Sequence, residues 1–471
     1  MALEQDLAAL LGPKGWLTDD VEAYQTDWLN MQSHTPLGVA RPANTTEVAE
    51  VMRLAHAAGV PVTPQGGNTS LCAGAVPGAA GHIILSLSRM NKIGDVDPLA
   101  FTVTVTVEAG AVLASVHQAV EEHDLIFPMH LGAEGSAQIG GLIATNAGGS
   151  HAVRYGMMQD LVLGLEVVTP DGRIWNGLRP LLKDNAGYQL RRLFCGSEGT
   201  LGVVTRAALR LYPAPISRAT ALLAVDDFDT MVRLGAVLRR DLGEFISALE
   251  FFCETGLEML LRNVSGLDYP LSERTQAYVL VELSTSAKGI DLSAMMEEAL
   301  GEAFEAGLIT DGAVAANDAQ RGAMWHLREE MPEGQRLESA QIKHDISVPV
   351  AVLGSFVDAA VPKLDAILPG VRLNPFGHLG DGNIHFNLSP PVGQDDFGDS
   401  KAALSICLYQ SAEEAGGSFA AEHGLGRSKI TFADQLRSHE ERDLMAAIKR
   451  AFDPDNTLNP GVILQEDNTQ E

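Results

Sequence analysis

The sequence predicts an α+β protein on three observations. Strand-length apolar runs alternate with stretches of helical spacing over the first two hundred residues. Glycine-rich segments punctuate that half and then disappear until Gly377. Between the two halves stands Pro213-Ala214-Pro215, a sequence that continues neither helix nor strand.

In order along the chain, Thr45 and Thr46 are placed to cap a helix running to about His56. Val60-Pro61-Val62 begins an extended segment, and the apolar run 83–87 forms a strand. Residues 102–107 alternate threonine and valine, the period of a half-buried strand, and 112–122 carry apolar residues at a spacing near that of a helix. Strands follow at 161–169 and 203–212. These signals divide the chain into 1–215, 216–400 and a helical segment 401–471, which ends in an acidic tail expected to fray.

Composition narrows the function. A chain of 471 residues with 46% hydrophobic side chains can bury extensive cores. Its formal charge of −28 repels a phosphate backbone, so nucleic acid is not an expected partner. The first twenty residues mix Glu4, Asp6, Lys14 and Asp19 with short apolar runs, giving no secretory signal pattern. No apolar run approaches the roughly 18 residues of a membrane-spanning helix. A cytoplasmic location is the expectation. Cys72, Cys195, Cys253 and Cys407 are far apart with no CxxC pair, and are expected to be reduced thiols.

Directly after the segment begun by Val62, the chain reads Pro64-Gln-Gly66-Gly67-Asn68-Thr69-Ser70. Consecutive glycines bring several N–H groups close to an anion and the polar side chains add donors, which suits a pyrophosphate. A tight turn between strands accounts for this loop alone equally well. A second segment, GAEGSAQIGGLIATNAGG from Gly132 to Gly149, is almost without bulky side chains and suits a backbone pressed against a flat ligand such as a flavin. GSEGTLG, from Gly196 to Gly202, is a third. No GxGxxG opens a βαβ unit, which argues against a Rossmann nicotinamide site.

Four later residues suggest a metal. His378-Leu-Gly-Asp-Gly-Asn-Ile-His385 reads as a hairpin that places two imidazoles on one face. Glu422 and His423 are both candidates for a third ligand; adjacent residues of a strand face opposite ways, so the chain there must bend, as Gly424 and Gly426 permit.

The motifs VTPQGGNTSLCAG, IGGLIATNAGG followed by RYG, LEVVTPDG, GSEGTLGVVT and the late LNPG, in this order, resemble the FAD-binding core of the vanillyl-alcohol-oxidase (PCMH-type) flavoprotein superfamily. FGHLGDGNIHFN and EHGLGRSK resemble the C-terminal motifs of its D-lactate and D-2-hydroxyglutarate dehydrogenase group. The resemblance implies a two-subdomain PCMH-type FAD domain in 1–215, an α/β substrate (cap) domain with an antiparallel sheet in 216–400, and a C-terminal segment that completes the active site and returns to the FAD domain. It implies cofactor contacts from Pro64, Gly66, Gly67, Asn68, Thr69, Ser70, Gly132, Gly135, Ser136, Ile139, Gly140, Asn146, Gly149, Gly199, Val204 and Asn459. No residue matches the histidine that some relatives link to FAD, so non-covalent binding is expected.

The same resemblance implies that His378, His385 and Glu422 hold a divalent metal, zinc being expected, that His423 is the base, and that Asn387 faces the substrate. Arg328 and Lys343 resemble substrate-carboxylate anchors; a guanidinium grips a carboxylate with two parallel hydrogen bonds, an ammonium as a point charge. Pro332 departs from the hydroxyglutarate-specific pattern, which carries a hydroxyl residue there. The expected reaction is oxidation of a D-2-hydroxy acid, with D-2-hydroxyglutarate favoured over D-lactate and D-malate. Its electrons would pass to an acceptor such as electron-transfer flavoprotein or a quinone, and a homodimer is left open. Two other readings stand beside it: a metal-dependent hydrolase or lyase whose glycine loops bind another phosphate ligand, and a non-catalytic flavin subunit of a larger oxidase.

Overall fold

Local sequence rules account for most elements of the computed structural model, which describes residues 2–30, 34–97 and 100–465. The helix Thr45–Ala58 is capped one residue earlier than expected, by Asn44, whose side chain accepts the Glu47 N–H, and it ends on left-handed Gly59. Asparagine is the stronger cap of the two residue types, and Thr45 and Thr46 enter the first turn instead. The alternating threonines and valines form the strand Thr104–Glu108, and the helix after it spans Leu113–Glu121. The expected strand at 161–169 is Val162–Val168, entered from a one-turn helix at Met158–Leu161. The acidic tail lies outside the described residues.

The chain forms two units. The first comprises 1–149, 156–214 and 422–471, the second 150–155 and 215–421. Residues 401–421, including the helix Lys401–Glu414, therefore group with the second unit, and the C-terminal segment of the first starts at Glu422 rather than at 401. The cause is local: Ser347 and Ser418 exchange backbone hydrogen bonds, and Ala421 donates to the Asp345 carbonyl, tying this stretch to the second unit's sheet.

The first unit holds two principal sheets. A four-stranded sheet orders Trp16–Leu17, Gly38–Ala40, Ile83–Ser86 and Val62–Gln65, with the last three strands parallel. An antiparallel five-stranded sheet orders Ile93–Val96, Thr104–Glu108, Val203–Arg210, Val162–Val168 and Ile174–Gly177. The C-terminal chain returns beside the first sheet: Val62 donates to Thr457 O and Asn459 donates back to Val62 O.

The second unit is built on one antiparallel seven-stranded sheet. Its order is Asp311–Val314, Ser217–Val225, Ala277–Thr285, Ile246–Cys253, Arg372–His378, Asn383–Ser389 and Asp345–Ser347. On one face Leu222, Phe252, Tyr278, Leu280 and Phe376 pack against Leu257, Leu260, Met324, Leu327 and Met331 of three helices, Glu254–Asn263, Asp318–Glu329 and Met331–Glu338. At ~25 cal/mol per Å2 of apolar surface, burial of such side chains is the main stabilising term. It holds those helices over the polar end of the same face.

Candidate active site

In the second unit the site grows out of strand register. The strands Arg372–His378 and Asn383–Ser389 form the expected hairpin, with Gly382 at φ +83° in its turn. His378 pairs with Asn383 and His385 with Phe376, so His378 and His385 are diagonal neighbours on one face. Their ring centroids are 5.6 Å apart. Asn387 pairs with Asn374 two positions further along that face.

Sequence reasoning missed the group behind these residues. Glu250 lies opposite His378 on the neighbouring strand, and its carboxylate is 2.7 Å from His378 Nδ1. A carboxylate only accepts, so His378 Nδ1 donates to it. The second Glu250 oxygen forms an ion pair of 2.8 Å with Arg328, which also lies over the Phe376 ring at 4.9 Å. Glu250 is 1% exposed and Arg328 8%. Burial alone would raise the Glu250 carboxyl, but the charges of His378 and Arg328 outweigh it and hold the group below the usual range. The only sequence signal for Glu250 is an acid within an apolar strand, Ser247-Ala-Leu-Glu250-Phe-Phe.

The remaining second-unit residues share this face. Asp345 pairs with His385, and its carboxylate lies 3.8 Å from the His385 ring while accepting from Asn383 Nδ2 at 2.9 Å. The bridge between Ile342 and Leu388 continues that register, placing Lys343 opposite Asn387. Desolvation lowers the Lys343 ammonium below the usual lysine range, and Arg336 adds repulsion. Asn387 is not directed at open space: its Nδ2 donates to Gln335 Oε1 at 2.8 Å, and both residues are buried. Pro332 opens the helix Met331–Glu338 that carries Gln335, where a missing N–H costs nothing.

The first unit gathers every residue read as cofactor-binding. Pro64 ends a buried strand and Gly66, Gly67, Asn68, Thr69 and Ser70 form the loop after it. That loop meets the second glycine segment so closely that a Cβ on Gly67 would fall 2.0 Å from the Ser136 carbonyl oxygen. The second segment is not extended throughout; after Gly132, Gly135 and Ser136 it forms a short helix, Ile139–Ala144, which includes Gly140. Asn146, in a left-handed conformation, accepts the Gln159 N–H, and Gly149 closes the segment. Gly199 packs on Pro64, and Val204 lies buried on the strand that follows. Asn459 donates to the carbonyls of Gly74 and Glu198 at 3.0 and 2.8 Å.

This arrangement fits a bound dinucleotide. Gly132, Gly135 and Gly141 would each project a Cβ into open space, and Asn68 Oδ1 and Gln138 Oε1 are buried without a hydrogen-bond partner among the described residues.

Glu422 and His423 begin the last segment of the first unit, in an irregular stretch where Gly424 takes φ +74°. The expected bend is present. A Cβ on Gly148 would fall 2.5 Å from Glu422 Oε1, so the carboxylate lies directly on the glycine segment. Behind the bend Glu198, another missed residue, accepts the N–H groups of Leu425 and Gly426 at 2.8 Å each. Burial pushes its carboxyl up, against the pull of those two bonds. Cys72 adds a bond to the Gly424 carbonyl, while all four cysteines are free thiols and burial pushes Cys253 up to about 12.

Fold and site together define an FAD-linked oxidase. The chain belongs to that family: residues 36–177 match the model of an FAD binding domain, and 214–463 that of the C-terminal domain of FAD linked oxidases. A D-2-hydroxyglutarate dehydrogenase of Xanthomonas citri pv. viticola is 38% identical over 95% of this chain and 93% of its own length. The mitochondrial D-2-hydroxyglutarate dehydrogenase of Arabidopsis thaliana is 34% identical over 97% and 80%. A putative mitochondrial D-lactate dehydrogenase of Schizosaccharomyces pombe is 34% identical over 97% and 89%. Among solved structures, substrate-bound p-cresol methylhydroxylase superposes with a TM-score of 0.75 at 16% identity over 100% of this chain and 98% of its own, which establishes the PCMH-type α+β fold. Among the described residues no helix is long and apolar enough to cross a membrane.

Proposed function

We propose that this protein oxidises a D-2-hydroxy acid, D-2-hydroxyglutarate being favoured and D-lactate or D-malate the alternatives, to the 2-oxo acid at a metal-assisted site beside non-covalently bound FAD. The observation that supports the reading is the Glu250 carboxylate shared by His378 and Arg328, which holds an imidazole and a guanidinium side by side on one face of the sheet. His378, His385 and Glu422 are the metal ligands in this reading.

When bound, FAD supplies a two-electron acceptor, and a divalent ion, zinc in this reading, supplies Lewis-acid stabilisation of negative charge on the substrate oxygen. Arg328 and Lys343 hold the substrate carboxylates, and Asn387 lines the same face. His423 removes the hydroxyl proton in its neutral form, which general-base catalysis near neutral pH requires. Misplacement of C2 by about 1 Å costs on the order of 100-fold in rate, so the buried ion pair behind Arg328 is part of the positioning apparatus.

The electrons pass to a non-nicotinamide acceptor such as electron-transfer flavoprotein or a quinone. We assign a cytoplasmic location and leave a homodimer open; the relatives from Arabidopsis thaliana, Danio rerio and Bos taurus carry mitochondrial names. The test is a screen of D- and L-2-hydroxy acids with an artificial dye acceptor, with and without added zinc or manganese. Anaerobic bleaching of the flavin by a D-2-hydroxy acid, lost after chelation and restored by metal, is the expected result. No bleaching by any D-isomer of the series would overturn the reading in favour of a non-catalytic flavin subunit.

A further inference from the structure

A second group of metal-ligating side chains lies within the first unit, outside the site described above. His117 is on the helix Leu113–Glu121; His130 stands two residues before the second glycine segment and Glu134 is its third residue. His130 Nδ1 lies 2.8 Å from Glu134 Oε1 and His117 Nδ1 3.4 Å from Oε2, with the two ring centroids 4.8 Å apart. One ligand atom from each residue falls within 4.8 Å of the others. We propose that His117, His130 and Glu134 form a divalent-cation site, selective for a borderline ion such as zinc, that braces the loop 130–136 against this helix.

Three features carry the proposal. Two imidazole nitrogens and one carboxylate are a donor set that zinc accepts, with a fourth position left for water. The His117 to Glu134 separation is the spacing of neighbouring donors about an ion: bonds of about 2.05 Å at the tetrahedral angle put them about 3.4 Å apart. The loop holds its ligand in place through the backbone, since Ala114 N–H donates to Glu134 O, Leu113 N–H to Ala137 O, and Leu131 N–H to the Glu134 carboxylate. His117 Nε2 is buried and finds no hydrogen-bond partner among the described residues.

The site does not depend on the proposed reaction, and its test keeps the two apart. FAD-loaded His378→Ala/His385→Ala protein, without an affinity tag, is stripped by chelator and dialysed against buffered zinc, and zinc per chain is measured by mass spectrometry. One equivalent is expected, with at least 100-fold weaker binding once Glu134→Gln or His117→Gln is added to this background. Flavin content and circular dichroism report folding of each variant, and the two substitutions perturb different elements. The unsubstituted enzyme binds two equivalents if the active-site metal reading also holds and one if that reading fails. Absence of zinc from the double variant, or binding that neither added substitution weakens, overturns the proposal.

Discussion

Replacement of Glu250 by glutamine tests the buried pair on which the active-site geometry depends. The substitution keeps side-chain volume and removes one negative charge from a position 1% exposed, leaving the Arg328 guanidinium, 8% exposed and formerly 2.8 Å from its partner, without a counter-ion. Two unit charges about 4 Å apart attract by about 4 kcal/mol at an effective dielectric constant near 20. Breaking a buried pair from one side costs about 3–5 kcal/mol. A loss of about 3 kcal/mol is expected, because the amide oxygen retains one acceptor. For His378 as the proposed metal ligand, loss of the carboxylate behind it is expected to add a fall of about 10–100-fold in metal affinity or activity. Denaturant unfolding of E250Q, R328M and the double variant reads the first effect, and chelator competition the second. In the double variant the loss is smaller than the sum of the singles, since no orphan charge remains. The sign with pH follows from the direction of the shift. The folded-state pKa of Glu250 lies below its unfolded value, so its stabilisation is complete above about pH 4.3 and is lost as pH falls through the folded value. E250Q lacks that acid limb. An unchanged unfolding midpoint together with unchanged metal affinity would refute the reasoning.

Gly67→Ala sets a methyl group 2.0 Å from the Ser136 carbonyl, and the forced separation of the two glycine loops is expected to cost about 1–3 kcal/mol, read as FAD binding about 5- to 150-fold weaker in a flavin titration. Glu198→Gln offers an amide N–H to one of the two backbone N–H groups it now accepts, so the Glu422 bend loosens; a lower kcat with FAD content retained is expected, and full turnover would remove Glu198 from a positioning role. His82 is buried beside Thr63 and lowered from 6.5 to about 4, first by desolvation and then by Arg427. Its contribution is complete above about pH 6.5, where both states are neutral, and is lost as pH falls toward 4; His82→Gln is expected to flatten that part of the stability profile.

The chemistry of the motifs was legible because glycine and histidine advertise themselves. A backbone that must approach another chain closely tolerates no side chain, as at Gly67 and Gly148, and two imidazoles seven residues apart across an Asp-Gly turn fall on one face of a hairpin through the two-residue period of strands. Glu250, Glu198 and Gln335 were not legible. Each acts on a partner more than 50 positions away, and nothing local distinguishes a buried acid in an apolar strand from an ordinary one.

Sequence alone therefore determined the α+β class, the glycine segments, the hairpin and the identities of the titratable groups, because these depend on backbone conformation and periodicity over a few residues. Tertiary structure decided which carboxylate stands behind His378, that Asn387 is engaged by Gln335, that residues 401–421 belong with the second sheet, and that His117, His130 and Glu134 meet. Those outcomes depend on strand order and helix packing over long separations, where burial selects among many pairings that local spacing leaves equally open.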